Sequence, residues 1–148
     1  MNKPYPPIAS LVPHAPPMLL VDELLELESD RAVARVTITP ASMFFENGGV
    51  PAIVMFEYMA QTIAAFSGAQ LREQGQAMKF GFLVGCRRLT IEVDRLDAGD
   101  ELQVEAFRVW VSDKLGEFHC RVFRHNQVIA EGTVSVYEGG LERTGASG

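Results

Sequence analysis

The stretch ENGGVPAIVMFEYMAQTIAAF, residues 46–66, decides how the chain is read. Pro51 suits the first turn of a helix and Gly75 a C-terminal stop, so the interval predicts a helix of roughly six turns at ~3.6 residues each. That helix is apolar on nearly every side, and such a helix must be enclosed by other elements. One carboxylate, Glu57, stands in the middle of it.

The flanks supply the enclosure. On the N-terminal side, MLLVDELLELE (18–28) leads through the turn SDR into AVARVTIT (32–39). There Ala32, Ala34, Val36 and Ile38 alternate with Val33, Arg35, Thr37 and Thr39, the pattern of a two-faced strand. On the C-terminal side follow four β-like segments, KFGFLVGCRRLTIEV (79–93), ELQVEAFRVWV (101–111), EFHCRVFR (117–124) and VIAEGTVSVY (128–137). DRLDAGD, SDKLG and HNQ separate them. In the last segment Ala130, Gly132, Val134 and Val136 form one buried face against Glu131, Thr133, Ser135 and Tyr137. Two strands, one long helix and four strands predict an α+β fold: a central helix wrapped by an antiparallel sheet of about six strands. The opening KPYPPIASLVPHAPPMLL is too rich in proline for a regular helix and should run extended. Residues 1–140 read as a single domain and 141–148 as a flexible tail.

With 148 residues, 47% of them hydrophobic, the chain has the make-up of one soluble domain with a core of its own. A net charge of −6 argues against nucleic acid, which rewards a basic surface. No run approaches the roughly 18 apolar residues of a membrane helix, and the N-terminus lacks the apolar region of a secretory signal, so the expected location is the cytoplasm. Cys86 and Cys120 are too few for a disulfide framework or a zinc site and read as buried reduced thiols.

On the helix, Glu57 shares a face with Gln61, Ala64 and Gly68. The small residues of that face would let the helix approach a sheet closely, with Glu57 about two turns inside the helix and short of water. A carboxylate so placed must find a partner or take up a proton, and a carboxylic acid kept protonated is a proton donor. The alternative is a Glu57 that faces solvent or pairs with an arginine such as Arg87 or Arg88.

The segment PHAPPMLLVDEL near the N-terminus, with FEYMAQT on the helix, resembles the 3-hydroxyacyl-acyl carrier protein dehydratases of the hot-dog superfamily. The longer phrases GVPAIVMFEYMAQTIAAFSG and KFGFLVGCRRL look closest to the dehydratases encoded with aryl polyene pathways. The resemblance spans roughly Leu11 to Tyr137. It implies that Glu57 is the catalytic acid, with Gln61 as its hydrogen-bonding neighbour. It also exposes a departure. The fatty-acid dehydratases carry their catalytic histidine in a Gly-His-Phe-Pro-Gly loop before the helix, and ASMFFENGGV here is shorter and holds none. Of the three histidines, His119 and His125 read as solvent-facing. His14, inside the family's Pro-His motif, is the candidate base, or else ties down the N-terminal segment, and its distance from Glu57 separates the two.

The resemblance further implies a homodimer, or a larger assembly of dimers, with the acyl chain in a tunnel at the interface, and no metal or redox cofactor. Phe44, Phe45, Met55, Phe56 and Met59 are candidates for its walls, or else core. A helix start at Gly48, Gly49 and Val50 would offer free N–H groups to the thioester carbonyl, Gly49 and Val50 first among them; a tight turn is the other use of those glycines. An acyl carrier protein would need a basic patch, for which Arg87, Arg88, Arg121 and Arg124 are the dense supply, unless they only coat solvated strand faces. The expected reaction is dehydration of a carrier-bound 3-hydroxyacyl thioester to the trans-2-enoyl product. The alternatives are an acyl thioesterase and a non-catalytic acyl-binding subunit of a dehydratase.

Overall fold

Alternation along the strands becomes a sheet with one buried face. Ala32, Ala34, Val36 and Ile38 are buried together, as are Ala130, Gly132, Val134 and Val136. The computed structural model describes residues 5–75 and 81–138. In chain order these form β1 (Glu23–Leu27), β2 (Arg31–Thr37), β3 (Gly49–Pro51), a 3-10 turn at Ala52–Val54, α1 (Met55–Glu73), β4 (Gly81–Ile91), β5 (Arg95–Asp97), β6 (Glu101–Ser112), β7 (Leu115–Arg124) and β8 (Gln127–Glu138). Six of the strands make one antiparallel sheet in the order β1-β2-β6-β7-β8-β4. The expected helix and six-stranded sheet are therefore present. Lys79 and Phe80, at the head of an expected strand, and the expected tail 141–148 lie outside the described residues.

The helix sits against β2, β6 and β7. The register explains how it fits: Ala32 faces Ala106, Ala106 faces Cys120 and Cys120 faces Gly132, a row of small residues across four strands. Bulk comes from the helix instead, with Met55, Met59, Ile63 and Phe66 fully enclosed and Phe66 packed edge-on against Phe118. Each side chain of that size stabilises the fold by roughly 1.5–3 kcal/mol when fully buried. Cys120 belongs to this core, and burial pushes its thiol up; Cys86 is half-buried and also free. Both are free thiols, as expected, but only Cys120 is buried as the sequence predicts.

On the outer face of the sheet Glu105 is buried between Arg31 and Arg121, at 2.7 and 2.8 Å. Burial alone would raise its carboxyl, but the two guanidiniums outweigh burial and hold it below its ordinary value of 4.5.

Two short elements escaped the strand pattern. β3 and β5 pair with each other, Gly49 opposite Asp97 and Val50 opposite Leu96. They brace the chain just before α1 and so position the helix start.

The small face of the helix corrects an expectation. Gly68 does not serve the approach of α1 to the sheet. A Cβ built on Gly68 would lie 1.9 Å from the carbonyl oxygen of Leu11, so the glycine admits the N-terminal segment instead. That segment lies along the side of α1 carrying Glu57 and Gln61.

Candidate active site

The N-terminal segment is pinned before it reaches His14. A 3-10 turn at Ile8–Ser10 precedes Leu11 and Val12, both in the core, and Arg72 of α1 donates to the Ser10 hydroxyl. Beyond His14 the chain is held by a side chain with no exposed surface, Gln61. Its Oε1 accepts from the Leu20 N–H at 2.8 Å, and its Nε2 donates to the Met18 carbonyl at 2.7 Å. The same Nε2 donates to Glu57 Oε2 at 2.9 Å. One amide thus fixes the backbone after His14 and the carboxylate at once.

The outcome is a His/Glu pair within one protomer. His14 Nε2 lies 3.5 Å from Glu57 Oε2, with 27% and 38% of the two side chains exposed. At that distance the pair stops short of a good hydrogen bond, as acid/base pairs often do before substrate arrives. The other ring nitrogen, Nδ1, is buried and has no hydrogen-bond partner among the described residues. Packing rather than a hydrogen bond therefore orients the ring, and Nε2 is the nitrogen that faces the carboxylate.

Glu57 departs from its expected surroundings. It lies in the first turn of α1, not two turns inside, and is partly exposed because the helix begins later than Pro51 implied. Pro51 itself is extended, at φ −57° and ψ 137°, and the 3-10 turn intervenes. The arginine alternative is also excluded: Arg87 pairs with Glu117, and Arg88 makes no ion pair with Glu57.

The same shift removes the expected role of Gly49 and Val50 at a helix start. Asn47 and Gly48 both take positive φ, 53° and 88°, and form a two-residue hairpin turn closed by Glu46 and Gly49. The Gly49 N–H is spent on the Glu46 carbonyl, and Val50 is buried opposite Leu96. Gly49 is needed for a close approach, since a Cβ there would lie 2.4 Å from the Leu96 carbonyl oxygen. Arg95 fastens the turn by donating to the carbonyls of Glu46 and Gly49. Asn47-Gly48 is a strong hairpin signal that could have been read from the sequence.

Of the candidate tunnel walls, Met55 and Met59 have no exposed surface and are core, whereas Phe45 and Phe56 are half-buried against it. Phe44 is different: it is 49% exposed and holds φ at 71°, a strained conformation for a bulky residue. The proposed basic patch does not assemble. Arg121 is committed to Glu105, Arg124 to Asp100 and Arg87 to Glu117; of these four, Arg88, at φ 59° in a bulge of β4, is the one without an ion-pair partner among the described residues. His125 is exposed in its turn, and His119 is partly exposed on the outer sheet face.

One helix enclosed by a six-stranded antiparallel sheet, with a carboxylate in the helix's first turn, defines a hot-dog protein. Solved hot-dog structures superpose accordingly. The dehydratase heterocomplex ApeI:P from Xenorhabdus doucetiae matches with a TM-score of 0.89 at 24% identity, over 94% of this chain and 95% of that one. The PaaI protein of the E. coli phenylacetic acid degradation operon matches at 0.61 and 16%, over 78% and 81%. In sequence, the chain is 30% identical over 135 residues to a 3-hydroxyacyl-[acyl-carrier-protein] dehydratase FabZ of Chlamydia trachomatis serovar L2, covering 86% of this chain and 87% of that protein. A FabZ of Anaeromyxobacter sp. strain K is also 30% identical, over 70% and 73%. The sequence model of the ApeP-like family, ApeP dehydratase, matches residues 6–144. The chain belongs to the ApeP-like dehydratase family.

Proposed function

We propose that the chain removes water from a 3-hydroxyacyl thioester borne on an acyl carrier protein, giving the trans-2-enoyl thioester, with His14 as base and Glu57 as acid. What supports this reading is the approach of Nε2 and Oε2 to 3.5 Å in a chain of a dehydratase family.

In the reactive form the pair holds one mobile proton, on the Glu57 carboxyl. His14 Nε2 takes the α-proton, whose bonding electrons become the new double bond as the Cβ–O bond breaks. Glu57 gives its proton to the departing hydroxyl, which leaves as water. The proton on Nε2 then passes to Glu57 and restores the starting state. Because Nδ1 is enclosed without an acceptor among the described residues, the imidazolium formed midway has the Glu57 carboxylate as its stabilising partner. Gln61 is a positioning residue, holding Oε2 through the cycle. On this reading the thioester carbonyl is met by the first N–H groups of the helical segment, at Ile53 and Val54, instead of those of Gly49 and Val50.

The purified chain, given a carrier-bound 3-hydroxyacyl substrate, should lose water from it, and Glu57→Gln should abolish that loss; full activity of this variant would remove the acid from the mechanism. On the same reading the protein works in the cytoplasm as a homodimer joined through β4. That strand is an eleven-residue sheet edge, whereas the opposite edge, β1, is five residues long and carries Glu23 and Glu26. A second arrangement, favoured by the likeness to the ApeI:P heterocomplex, pairs this chain with a different dehydratase subunit. Turnover that starts only when such a subunit is added would select it.

A further inference from the structure

We propose that a second cleft, opening from Tyr58 and separate from the His14–Glu57 pair, binds a neutral amide, the group presented by the pantetheine arm of a carrier-bound thioester. The choice of the arm rests on the dehydratase reading above; the ligand class does not.

Successive helical residues point about 100° apart, so Tyr58 faces away from the space that Glu57 enters. It faces a cleft of about 360 Å³ whose polar lining is Asp22, Thr37, Thr39, Ser42 and Tyr58 itself. Small-molecule sites run from ~300 to 1,000 Å³, so the cleft is of adequate size. Leu20 lines it too, and the Leu20 N–H is the one held by Gln61; a single run of backbone therefore separates the cleft from the acid/base pair.

The hydrogen-bond inventory selects the ligand. Tyr58 is 2% exposed, and its hydroxyl, which has no hydrogen-bond partner among the described residues, keeps its remaining surface on the cleft. Burial, and then the Asp22 carboxylate, push the phenol up to about 12, so it remains a donor at neutral pH. The Thr37 hydroxyl already accepts from Arg35, that of Thr39 from the Ala41 N–H and that of Ser42 from the Thr39 N–H. Each keeps a proton to give. Asp22 accepts through Oδ2 from the Thr37 N–H at 2.8 Å, with Arg35 at 3.4 Å, leaving Oδ1 free to accept among the described residues. The cleft thus offers several O–H donors and one carboxylate oxygen. An anion would meet Asp22, and a hydrocarbon would leave the Tyr58 hydroxyl buried without a partner. An amide answers both needs, its carbonyl accepting from the hydroxyls and its N–H donating to Asp22.

Pantetheine titrated against the full chain should bind, and Tyr58→Phe should weaken it about three- to tenfold, the worth of one hydrogen bond. Ser42→Ala, at a loop position that leaves the core untouched, should weaken it in the same direction. Equal binding by wild type and both variants overturns the site. The kinetic arm uses a 3-hydroxyacyl group on pantetheine and the same group on ethanethiol, which has no amide. Tyr58→Phe should raise KM for the first and not for the second, with the loss falling on KM rather than kcat. Binding that depends on Tyr58 with no change in either KM assigns the cleft to a free amide ligand and overturns the arm. Turnover of the pantetheine thioester with binding indifferent to Tyr58 removes the cleft and leaves the dehydratase standing. Binding that depends on Tyr58 in a chain with no turnover does the reverse.

Discussion

Among the described residues there are two histidine–glutamate contacts, and the closer one is the weaker candidate for chemistry. On the outer face of the sheet, His119 of β7 and Glu131 of β8 meet at 2.7 Å, with 39% and 46% of their side chains exposed. At the head of α1, His14 and Glu57 are 3.5 Å apart. The first pair has solvent on its open side, where an ion pair is worth roughly 0–1 kcal/mol. The second has Nδ1 sealed off, a buried amide on the carboxylate and a chain segment locked behind the imidazole. What separates a site from a surface contact here is the number of independent restraints on each partner, not the distance between them.

Substitutions at the two pairs would break that contrast or sharpen it. His14→Ala should lower kcat/KM for dehydration by about 10²- to 10⁴-fold, the range lost with a positioned base; a rate near wild type would reduce His14 to a strap. Gly68→Ala tests whether the segment must lie flush on the helix. Its new methyl cannot share space with the Leu11 carbonyl, so denaturant unfolding should register a loss of ~1–3 kcal/mol. Turnover should fall with it as His14 is displaced, and wild-type values for both would detach the pair from the segment's seat. His119→Gln should leave turnover unchanged and stability within ~0.5 kcal/mol. A marked loss of turnover there would erase the distinction.

The main sheet and the helix were legible because period-2 alternation and proline and glycine boundaries act locally, and Ala32 to Ile38 and Ala130 to Val136 carry them plainly. β3 and β5 were not, since three residues are too few to show a period and one of them is Pro51. Glu57 and Gln61 stood out as polar groups in an apolar helix. Their environment did not, because Gln61 is satisfied by backbone groups of Met18 and Leu20, more than 40 positions away. The arginines misled for a related reason. Arg121 lies directly opposite Glu105 across a strand pair, and charge counted along the chain takes no account of partners across the sheet.

The Gln61 amide has a direction. Its oxygen meets a donor and its nitrogen meets two acceptors, one of them a carboxylate. Glutamate has nearly the same outline, but in that place it would set an acceptor against the Met18 carbonyl and a second negative charge against Glu57. The exchange of a single NH₂ for an oxygen would turn two attractions into repulsions without altering the shape of the helix. The polarity of one side chain, more than its size, keeps the N-terminal segment and the acid on the same side of the molecule.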